Sequence, residues 1–338
     1  MAKRISRPSR QPPLDVRPDT GPRPSAAAAP ASTPLGALTA SAWRALLAIA
    51  HSPQPHRDPT VTDLLQPDPT VGWRSADRLP PPLRDFLDLY LPFCRLAAHA
   101  PLLVGHLGQS LDGCIATRAG ESCFVTGPAN ITHLHRMRAL ADAVLVGAGT
   151  VAHDDPRLTT RLVPGPCPVR VVLDPRGRLG RHHRLFTDGA APTLLVRAST
   201  DADGHAAGPG PAGVNGPTDQ VEILPAALTA DGAIDLPWLL ACLQRRGLRR
   251  LFIEGGGVTV SAFLAQGLLT RLQIAVAPLI IGQGRPGVSL PPPPDLARAL
   301  RPACRVYRMG DDMLYDLELT AGAAHGGTDP GLLPVRIR

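Results

Sequence analysis

Short apolar runs rich in β-branched residues recur from about residue 101 onward, and stretches with helical spacing separate them. The six clearest runs are LLVGHL, AVLVG, VRVVLD, TLLVR, VEIL and LFIEGG. Each run has the length of a strand and is too short for a buried helix. Strands that alternate with helices along a chain form a parallel sheet with helices packed on it. The sequence therefore predicts an α/β fold.

Further elements complete this region. Residues 129–141, 236–247 and 258–267 have the apolar spacing of helices. Three late runs have the pattern of strands, and they read RLQIAVAPLI, RVYRMG and MLYDLEL.

The composition divides the chain into four parts. Residues 1–34 contain too few large apolar residues to offset the entropy of ordering, so we expect a disordered tail there and a flexible tail at 321–338. Residues 35–100 contain two helical patches and predict a helical appendage, whose role the sequence does not indicate. Residues 101–320 form the α/β domain. Within it, the segment 198–220 is rich in glycine, proline and polar residues, and we expect a mobile surface insertion.

The net charge of +7 is concentrated at the amino terminus. Residues 1–34 hold six Lys and Arg residues against two Asp residues, whereas the α/β region is almost neutral. This distribution argues against nucleic-acid binding. Lys3 is the only lysine of the chain, which excludes a Schiff-base lysine and a P-loop lysine from the α/β region.

The six cysteines form no C-x-x-C pair and have no regular spacing. This pattern argues against a zinc site and a disulfide framework, and it favours a reducing compartment. No apolar run approaches the roughly 18 residues of a membrane span. We therefore expect a cytoplasmic protein that binds neither a membrane nor a metal ion.

Two glycine-rich segments follow predicted strands. The sequence GAG at 147–149 ends the run AVLVG, and EGGG at 254–257 lies between LFI and a predicted helix. Ligands bind beyond the carboxyl ends of parallel strands, where glycines and helix N-termini offer backbone N–H groups to phosphate. A complete G-x-G-x-x-G is absent, so we expect a nucleotide site of another geometry.

The segment GAGTVAHDDPRLTTR at 147–161 fits four roles on its own, namely a phosphate cradle, an acid/base pair, a metal site or a turn. Its adjacent carboxylates, Asp154 and Asp155, argue against a metal site because neighbouring side chains usually point apart and no second ligand motif exists.

Charged side chains near other predicted strand ends also leave alternatives open. Arg138 lies near the apolar face of its predicted helix and is either a snorkelling side chain or an anion clamp. Asp174 ends the run VVLD and could accept a bond from a ribose hydroxyl. Arg176 and Arg178 could instead hold the additional phosphate of NADP.

Five blocks have the order and spacing of a known family. They are SLDGCIATRAGES, RMRALADAVLVGAGTV, DDPRLTTR, PVRVVLD and EGGGVTVSAFLAQGLLTRLQIAVAPLIIGQG. Together they resemble the reductase domain of the bacterial riboflavin-biosynthesis deaminase/reductase. The resemblance implies a dihydrofolate-reductase-like fold, in which helices flank a central mixed, mostly parallel sheet. It covers about residues 101–320 and leaves the first 100 residues unexplained.

The resemblance also implies an activity. Members use NADPH to reduce a 5-amino-6-(5-phosphoribosylamino)uracil-type compound to its ribitylamino product, by hydride transfer to C1′ of the ring-opened ribose imine. A small phosphorylated pyrimidine is then the substrate, NADPH the cofactor and a second copy of the chain the expected partner in a homodimer.

The resemblance further assigns residues to the two ligands. The substrate contacts it implies are Ser122, Arg138, Leu158, Arg161 and Glu254. The NADPH contacts it implies are Gly108, Phe124, Thr150, Asp154, Pro175 and the backbone of 256–262, which includes Gly256, Gly257, Val258 and Thr259. The expected catalytic residues are His106, Asp154 and Glu254.

Two positions depart from the family pattern. His106 stands where many members have lysine, and a histidine there could donate a hydrogen bond or a proton and titrates near neutrality. Phe124 stands where an indole is common, which keeps an apolar face and loses an N–H donor. The zinc deaminase motifs H-x-E and C-x-x-C are also absent from the sequence, so we expect no deaminase activity.

The departures keep two other functions open. A related reductase of a pterin, a folate or another heterocycle would account for the change at His106. A non-catalytic descendant would bind a ligand or partner through the segment 35–100. The sequence also leaves open the amination state of the substrate and the choice between NADPH and NADH.

Overall fold

A nine-stranded sheet runs through the part of the chain that the computed structural model describes, which comprises residues 34–94, 101–123, 125–198 and 220–319. The two predicted tails and the predicted insertion lie almost entirely outside these ranges. The strands in chain order are β1 Leu65–Asp68, β2 Gly72–Ser75, β3 Leu102–Ser110, β4 Cys114–Ala116, β5 Ala143–Gly147, β6 Val169–Leu173, β7 Thr193–Ala198, β8 Val221–Ala226, β9 Arg250–Ile253, β10 Arg271–Ala277, β11 Arg285–Pro286, β12 Ala303–Met309 and β13 Asp312–Glu318. The α-helices are α1 Pro34–His51, α2 Pro59–Leu64, α3 Pro81–Cys94, α4 Pro128–Leu140, α5 Ala148–Asp154, α6 Arg184–Thr187, α7 Leu236–Arg245 and α8 Gly257–Ala265.

The strands lie across the sheet in the order β12, β13, β10, β3, β9, β5, β6, β7, β8. All neighbours from β10 to β8 are parallel, whereas β13 pairs antiparallel with both β10 and β12. Parallel strands need crossover connections, and α4, α7 and α8 lie in three connections between parallel strands that are not neighbours in the sheet. This arrangement confirms the predicted mixed, mostly parallel sheet flanked by helices.

The inner strands form because their residues are apolar on both faces. All four residues of β9 are buried, as are the first four of β5. A strand between two helical layers has no polar face, which explains the continuous apolar runs in the sequence. Val144 and Val146 belong to the hydrophobic cluster that includes α4, whereas Leu145 belongs to the cluster that includes α7 and α8. The two clusters thus lie on opposite faces of the sheet.

The three helices predicted in the α/β region are confirmed as α4, α7 and α8, with ends that agree within two residues. The side chain of Asp235 caps α7 by accepting a hydrogen bond from the backbone N–H of Trp238 at 2.9 Å. No helix in the described ranges has the length and hydropathy to cross a membrane.

The N-terminal segment, residues 34–94, contains α1, α2 and α3, but an antiparallel hairpin of β1 and β2 separates α2 from α3. The appendage predicted for residues 35–100 is helical over α1, α2 and α3, and it also contains this hairpin, which the sequence did not indicate. The hairpin strands, LQPD and GWRS, carry polar residues and a proline and lack the alternation that marks a strand. The segment also shares a hydrophobic cluster with the sheet, because Trp43 and Tyr90 lie in the same cluster as Met137 and Val144.

Asp142 fixes the beginning of β9. Its carboxylate accepts the backbone N–H groups of Arg249 and Arg250 at 2.9 and 2.7 Å. It also accepts the Arg250 guanidinium, with 2.6 Å between Nη2 and Oδ1. Arg250 donates in turn to the carbonyl of Ala50 in α1. One largely buried ion pair therefore links β9 to β5 and to the N-terminal segment.

Replacing Asp142 by alanine should lower the free energy of unfolding by about 3 kcal/mol, because it leaves the buried Arg250 guanidinium and two backbone N–H groups without their acceptor. Urea denaturation at pH 7.5 measures the change. Glu222→Ala is the control, since the Glu222–Arg246 pair is more exposed and should contribute about 1 kcal/mol or less. Equal losses in the two variants would contradict this assignment.

Candidate active site

A cleft of about 870 Å³ opens at the carboxyl ends of β5, β6 and β9. Residues of α4 line one side, and the beginning of α8 lines another. The predicted ligand contacts that line it are His106, Gly108, Ser122, Arg138, Thr150, Asp154, Leu158, Pro175, Glu254, Gly256, Gly257, Val258 and Thr259. Arg161 is not part of the lining, and Phe124 lies outside the described residues.

Arg138 of α4 forms a buried ion pair with Glu254, the residue that follows β9. Its Nε donates to the two carboxylate oxygens at 3.1 and 3.3 Å, and its Nη2 donates to Oε1 at 2.8 Å. Its Nη1 donates to the carbonyl of Thr159 at 3.4 Å. Arg138 is therefore neither a snorkelling side chain nor a free anion clamp. Oε2 of Glu254 accepts one long bond from it and retains capacity for a donor in the cleft.

His106 of β3 is buried at the edge of the cleft and pairs with Asn130 of α4. Its Nε2 lies 3.1 Å from Asn130 Oδ1, and Asn130 Nδ2 donates to Thr126 Oγ1 at 2.9 Å. Because the Asn130 amide nitrogen is directed to Thr126, its oxygen accepts the Nε2–H of His106. This fixes the tautomer of the ring.

Burial, together with nearby His133, lowers the pKa of His106 to about 3. The ring is consequently neutral at physiological pH, and its single N–H is engaged with Asn130. The expectation that His106 titrates near neutrality is wrong, because the sequence did not show how completely β3 is covered at this position. A neutral His106 orients Asn130 and has no additional proton to donate.

The glycines at the start of α8 form a cradle. Gly255 has a φ of +93°, and a Cβ there would lie 2.7 Å from Thr150 Oγ1. Thr150 Oγ1 accepts the N–H of Gly256 at 2.8 Å. Gly257 packs against the backbone of Gly287 too closely for any side chain. No side chain caps α8, so the N–H groups of its first turn can bind an anion, and the cradle fits a dinucleotide phosphate.

The adjacent aspartates have different contacts. Asp154 lines the cleft, and its Oδ1 accepts a hydrogen bond from the hydroxyl of Ser122 at 2.7 Å. Asp155 has a left-handed backbone with a φ of 40° and accepts the N–H of Arg184 at 2.8 Å. It also lies 3.4 Å from Nδ1 of His183. Asp155 therefore holds α6 against the end of α5, whereas Asp154 faces the ligand space.

Arg161 lies beside the cleft. Its backbone N–H donates to Nδ1 of His135 at 2.9 Å, and its Nη1 donates to the hydroxyl of Thr159 at 2.7 Å. Burial and the nearby guanidiniums of Arg138 and Arg157 lower the pKa of Arg161. Within the described ranges neither Arg157 nor Arg161 forms a salt bridge with a carboxylate. Two such uncompensated guanidiniums suit a phosphate group.

Asp174 does not serve as a ribose acceptor. Its side chain is fully buried, and its two oxygens accept the N–H groups of Arg178 and Leu179 at 2.9 and 3.0 Å. Arg197 lies 3.8 Å from the same carboxylate. The acidic residue that ends VVLD therefore closes the following turn. Arg178, which the turn carries, lines the cleft.

Sequence reasoning missed several residues of the lining. Asn130 occurs at four-residue spacing before Leu134 and Arg138, so the helical period could have indicated it. Arg285 belongs to β11, a two-residue strand beside β4, and no pattern identifies a strand of that length. Ile234 precedes α7 and resembles any core residue in the sequence.

No set of three or more histidine, cysteine or acidic side chains within the described ranges could hold a metal ion.

Acidification should destabilise the protein through three buried histidines. Burial lowers the pKa of His106 to about 3 and the pKa values of His133 and His135 to about 4, against 6.5 for an unperturbed ring. The unfolded chain binds the additional protons, so stability is intact above pH 6.5 and is lost as the pH falls from there toward the folded pKa. Each ring should cost about 1.4 kcal/mol per pH unit in that window.

Urea denaturation between pH 7.5 and 5.0 measures this slope. The variant His106→Gln removes one titrating ring and should reduce the slope by about 1.4 kcal/mol per pH unit. An unchanged slope in this variant would mean that the ring of His106 binds a proton equally well in the folded and unfolded chains.

Known proteins are similar to this chain in sequence and in fold. The chain is 33% identical over 223 residues to the 2,5-diamino-6-ribosylamino-4(3H)-pyrimidinone 5′-phosphate reductase of Methanothermobacter thermautotrophicus, which covers 64% of this chain and 97% of that protein. It is 32% identical over 193 residues to the riboflavin biosynthesis protein RibD of Aquifex aeolicus, which covers 57% of this chain and 50% of that protein.

A solved structure of a related reductase is similar to this chain in fold. The crystal structure of a diaminohydroxyphosphoribosylaminopyrimidine deaminase/5-amino-6-(5-phosphoribosylamino)uracil reductase from Thermotoga maritima matches with a TM-score of 0.52 and 26% identity. The match covers 70% of this chain and 60% of that one. It confirms the dihydrofolate-reductase-like fold that the sequence resemblance implied. The family model of the RibD C-terminal domain matches residues 101–314, and the chain belongs to that family.

Proposed function

We propose that this protein is an NADPH-dependent reductase of riboflavin biosynthesis that acts on a ribosylamino-pyrimidine 5′-phosphate. The observation that carries the proposal is a single cleft with two unlike halves. The glycine cradle suits a dinucleotide, and the Arg138–Glu254 pair with its neighbouring guanidiniums suits a small phosphorylated ring. The bound nucleotide would supply the hydride that reduces C1′ of the ring-opened ribose imine.

The nucleotide half offers backbone donors and small side chains. The first turn of α8 would hold a phosphate, and Thr150 keeps the cradle open by accepting the N–H of Gly256. Gly108 and Pro175 line the cleft and would pack against the nicotinamide and its ribose. Arg178 lines the cleft and favours NADPH over NADH, because it can pair with a 2′-phosphate, whereas the carboxylate of Asp174 is engaged by its own turn.

The substrate half offers charge and directed acceptors. Oε2 of Glu254 would accept from an amine or hydroxyl of the substrate, while Arg138 keeps the carboxylate in place. Leu158 has a φ of 55°, is buried and lines the cleft, where it would pack against the substrate. Arg161 has its guanidinium near that of Arg138 and would bind a phosphate that extends beyond the lining.

Two names among the relatives define the candidate substrates. One is the 2,5-diamino-pyrimidinone phosphate in the name of the Methanothermobacter enzyme, and the other is the 5-amino-uracil phosphate in the name of the Thermotoga protein. The cytoplasmic location and the homodimer stay predictions. Sedimentation of the purified protein tests the dimer.

Purified protein should oxidise NADPH in the presence of one of these two ribosylamino-pyrimidine phosphates, and NADH should be at least about 10-fold less efficient because it lacks the phosphate for Arg178. Absorbance at the nicotinamide wavelength follows the reaction. Dihydrofolate is the control substrate. Turnover of dihydrofolate without turnover of either pyrimidine would overturn the proposal in favour of a different heterocycle reductase.

Two single substitutions should separate the halves of the cleft. Glu254→Gln should lower kcat/KM for the pyrimidine by about 10-fold to 100-fold, because an amide cannot replace a charged acceptor. Thr150→Val removes the acceptor of the Gly256 N–H and should raise KM for NADPH about fivefold. Steady-state kinetics with each ligand varied in turn measures both effects, and Thr150→Ser is the conservative control. Equal changes for both ligands in both variants would contradict this division.

A further inference from the structure

The N-terminal segment, residues 34–94, lies outside the region that matches the family, yet it packs directly on one wall of the cleft. Helices α1 and α3 both contact α4. Nε2 of His51 lies 2.8 Å from the carbonyl oxygen of Ala139 at the end of α4. The indole N–H of Trp43 donates to the carbonyl of Pro164 at 2.8 Å, in the loop between α5 and β6. The segment therefore holds the two elements that carry the substrate half.

Helix α4 meets both the cleft and the N-terminal segment. Asn130, Leu134 and Arg138 line the cleft. His133 and Met137 are fully buried on the adjoining part of the helix surface and meet the N-terminal segment. Because α4 is one regular helix, a shift at this contact moves the Arg138–Glu254 pair.

A buried hydrogen-bond chain fixes α4 between α3 and the sheet. Gln273 of β10 directs its Nε2 to Asp316 at 3.4 Å, so its Oε1 accepts from Nε2 of His133 at 2.9 Å. The Nδ1 of His133 then accepts the hydroxyl proton of Tyr90 in α3, also at 2.9 Å. Tyr90 is thus the donor that satisfies the second nitrogen of a buried ring.

The hydrogen bonds from Tyr90 through His133 to Gln273 end beside the site. Gln273 pairs in register with His106 across β10 and β3, and the rings of His106 and His133 lie 5.6 Å apart. His106 in turn positions Asn130 in the cleft. The nucleotide cradle lies elsewhere, since α8 packs in the cluster on the other face of the sheet.

We propose that Tyr90 and Trp43 are positioning residues for the substrate half of the cleft, and that they act through His133 and through the loop that carries Leu158. This inference rests on the function proposed above. It assigns to the N-terminal segment a role in substrate affinity and leaves nucleotide binding independent of that segment.

Tyr90→Phe should raise KM for the pyrimidine phosphate about 10-fold, since misplacement by a fraction of an ångström weakens every contact that α4 makes. KM for NADPH should change less than about twofold, because α8 packs in the hydrophobic cluster on the other face of the sheet. Trp43→Phe should show the same split. Thr193→Val is the matched control: it also removes one buried hydroxyl, on β7 and outside the cleft lining, and should leave both KM values unchanged.

Hydrogen exchange of the full chain gives a second readout that needs no turnover. Tyr90→Phe should speed exchange in peptides of 125–141 and 155–168 and leave 254–266 unchanged, whereas Thr193→Val should change none of them. Equal increases in the two KM values, or an unchanged substrate KM, would overturn the proposal. If the wild-type protein reduces neither pyrimidine, the proposed function fails, and the exchange pattern alone decides the positioning role.

Discussion

The ion pair between Arg138 and Glu254 joins the two layers on which the site depends. One partner stands on α4, and the other follows β9 at the middle of the sheet. A buried pair of this kind costs desolvation, and it stabilises only when its geometry is good and its remaining bonds are satisfied. Here the guanidinium also bonds the carbonyl of Thr159, so α4, β9 and the loop before β6 are fixed relative to one another at a single point.

The sheet could be predicted because its inner strands consist mainly of apolar residues. Strands such as β5 and β9 are covered on both faces and are apolar apart from the paired Arg250, and this leaves an unmistakable run in the sequence. The hairpin of β1 and β2 and the short pair of β4 and β11 are different, since partly exposed strands and two-residue strands leave no such record. The hairpin of the N-terminal segment was not predicted for that reason.

The sequence predicted where the glycines of the site lie, and it was less informative about the roles of its charged and titratable side chains. Gly255 and Gly257 mark places where a Cβ would collide, and a sequence shows such places directly. The protonation state of His106 depends instead on the residues that cover β3. The hydrogen-bond partners of Asp174 depend on how the following turn closes. Pairings between distant residues decide both, and local patterns do not contain that information.

The contact between α4 and the N-terminal segment limits how the chain can be truncated. Residue 101, where the family match begins, is not a boundary of the fold, because α1 and α3 cover apolar surface of α4. A chain trimmed to residues 101–314 would expose Met137 to water and leave His133 without its hydroxyl donor. Such a fragment would be prone to self-association, and the absence of activity in it would reveal nothing about the chemistry of the intact enzyme.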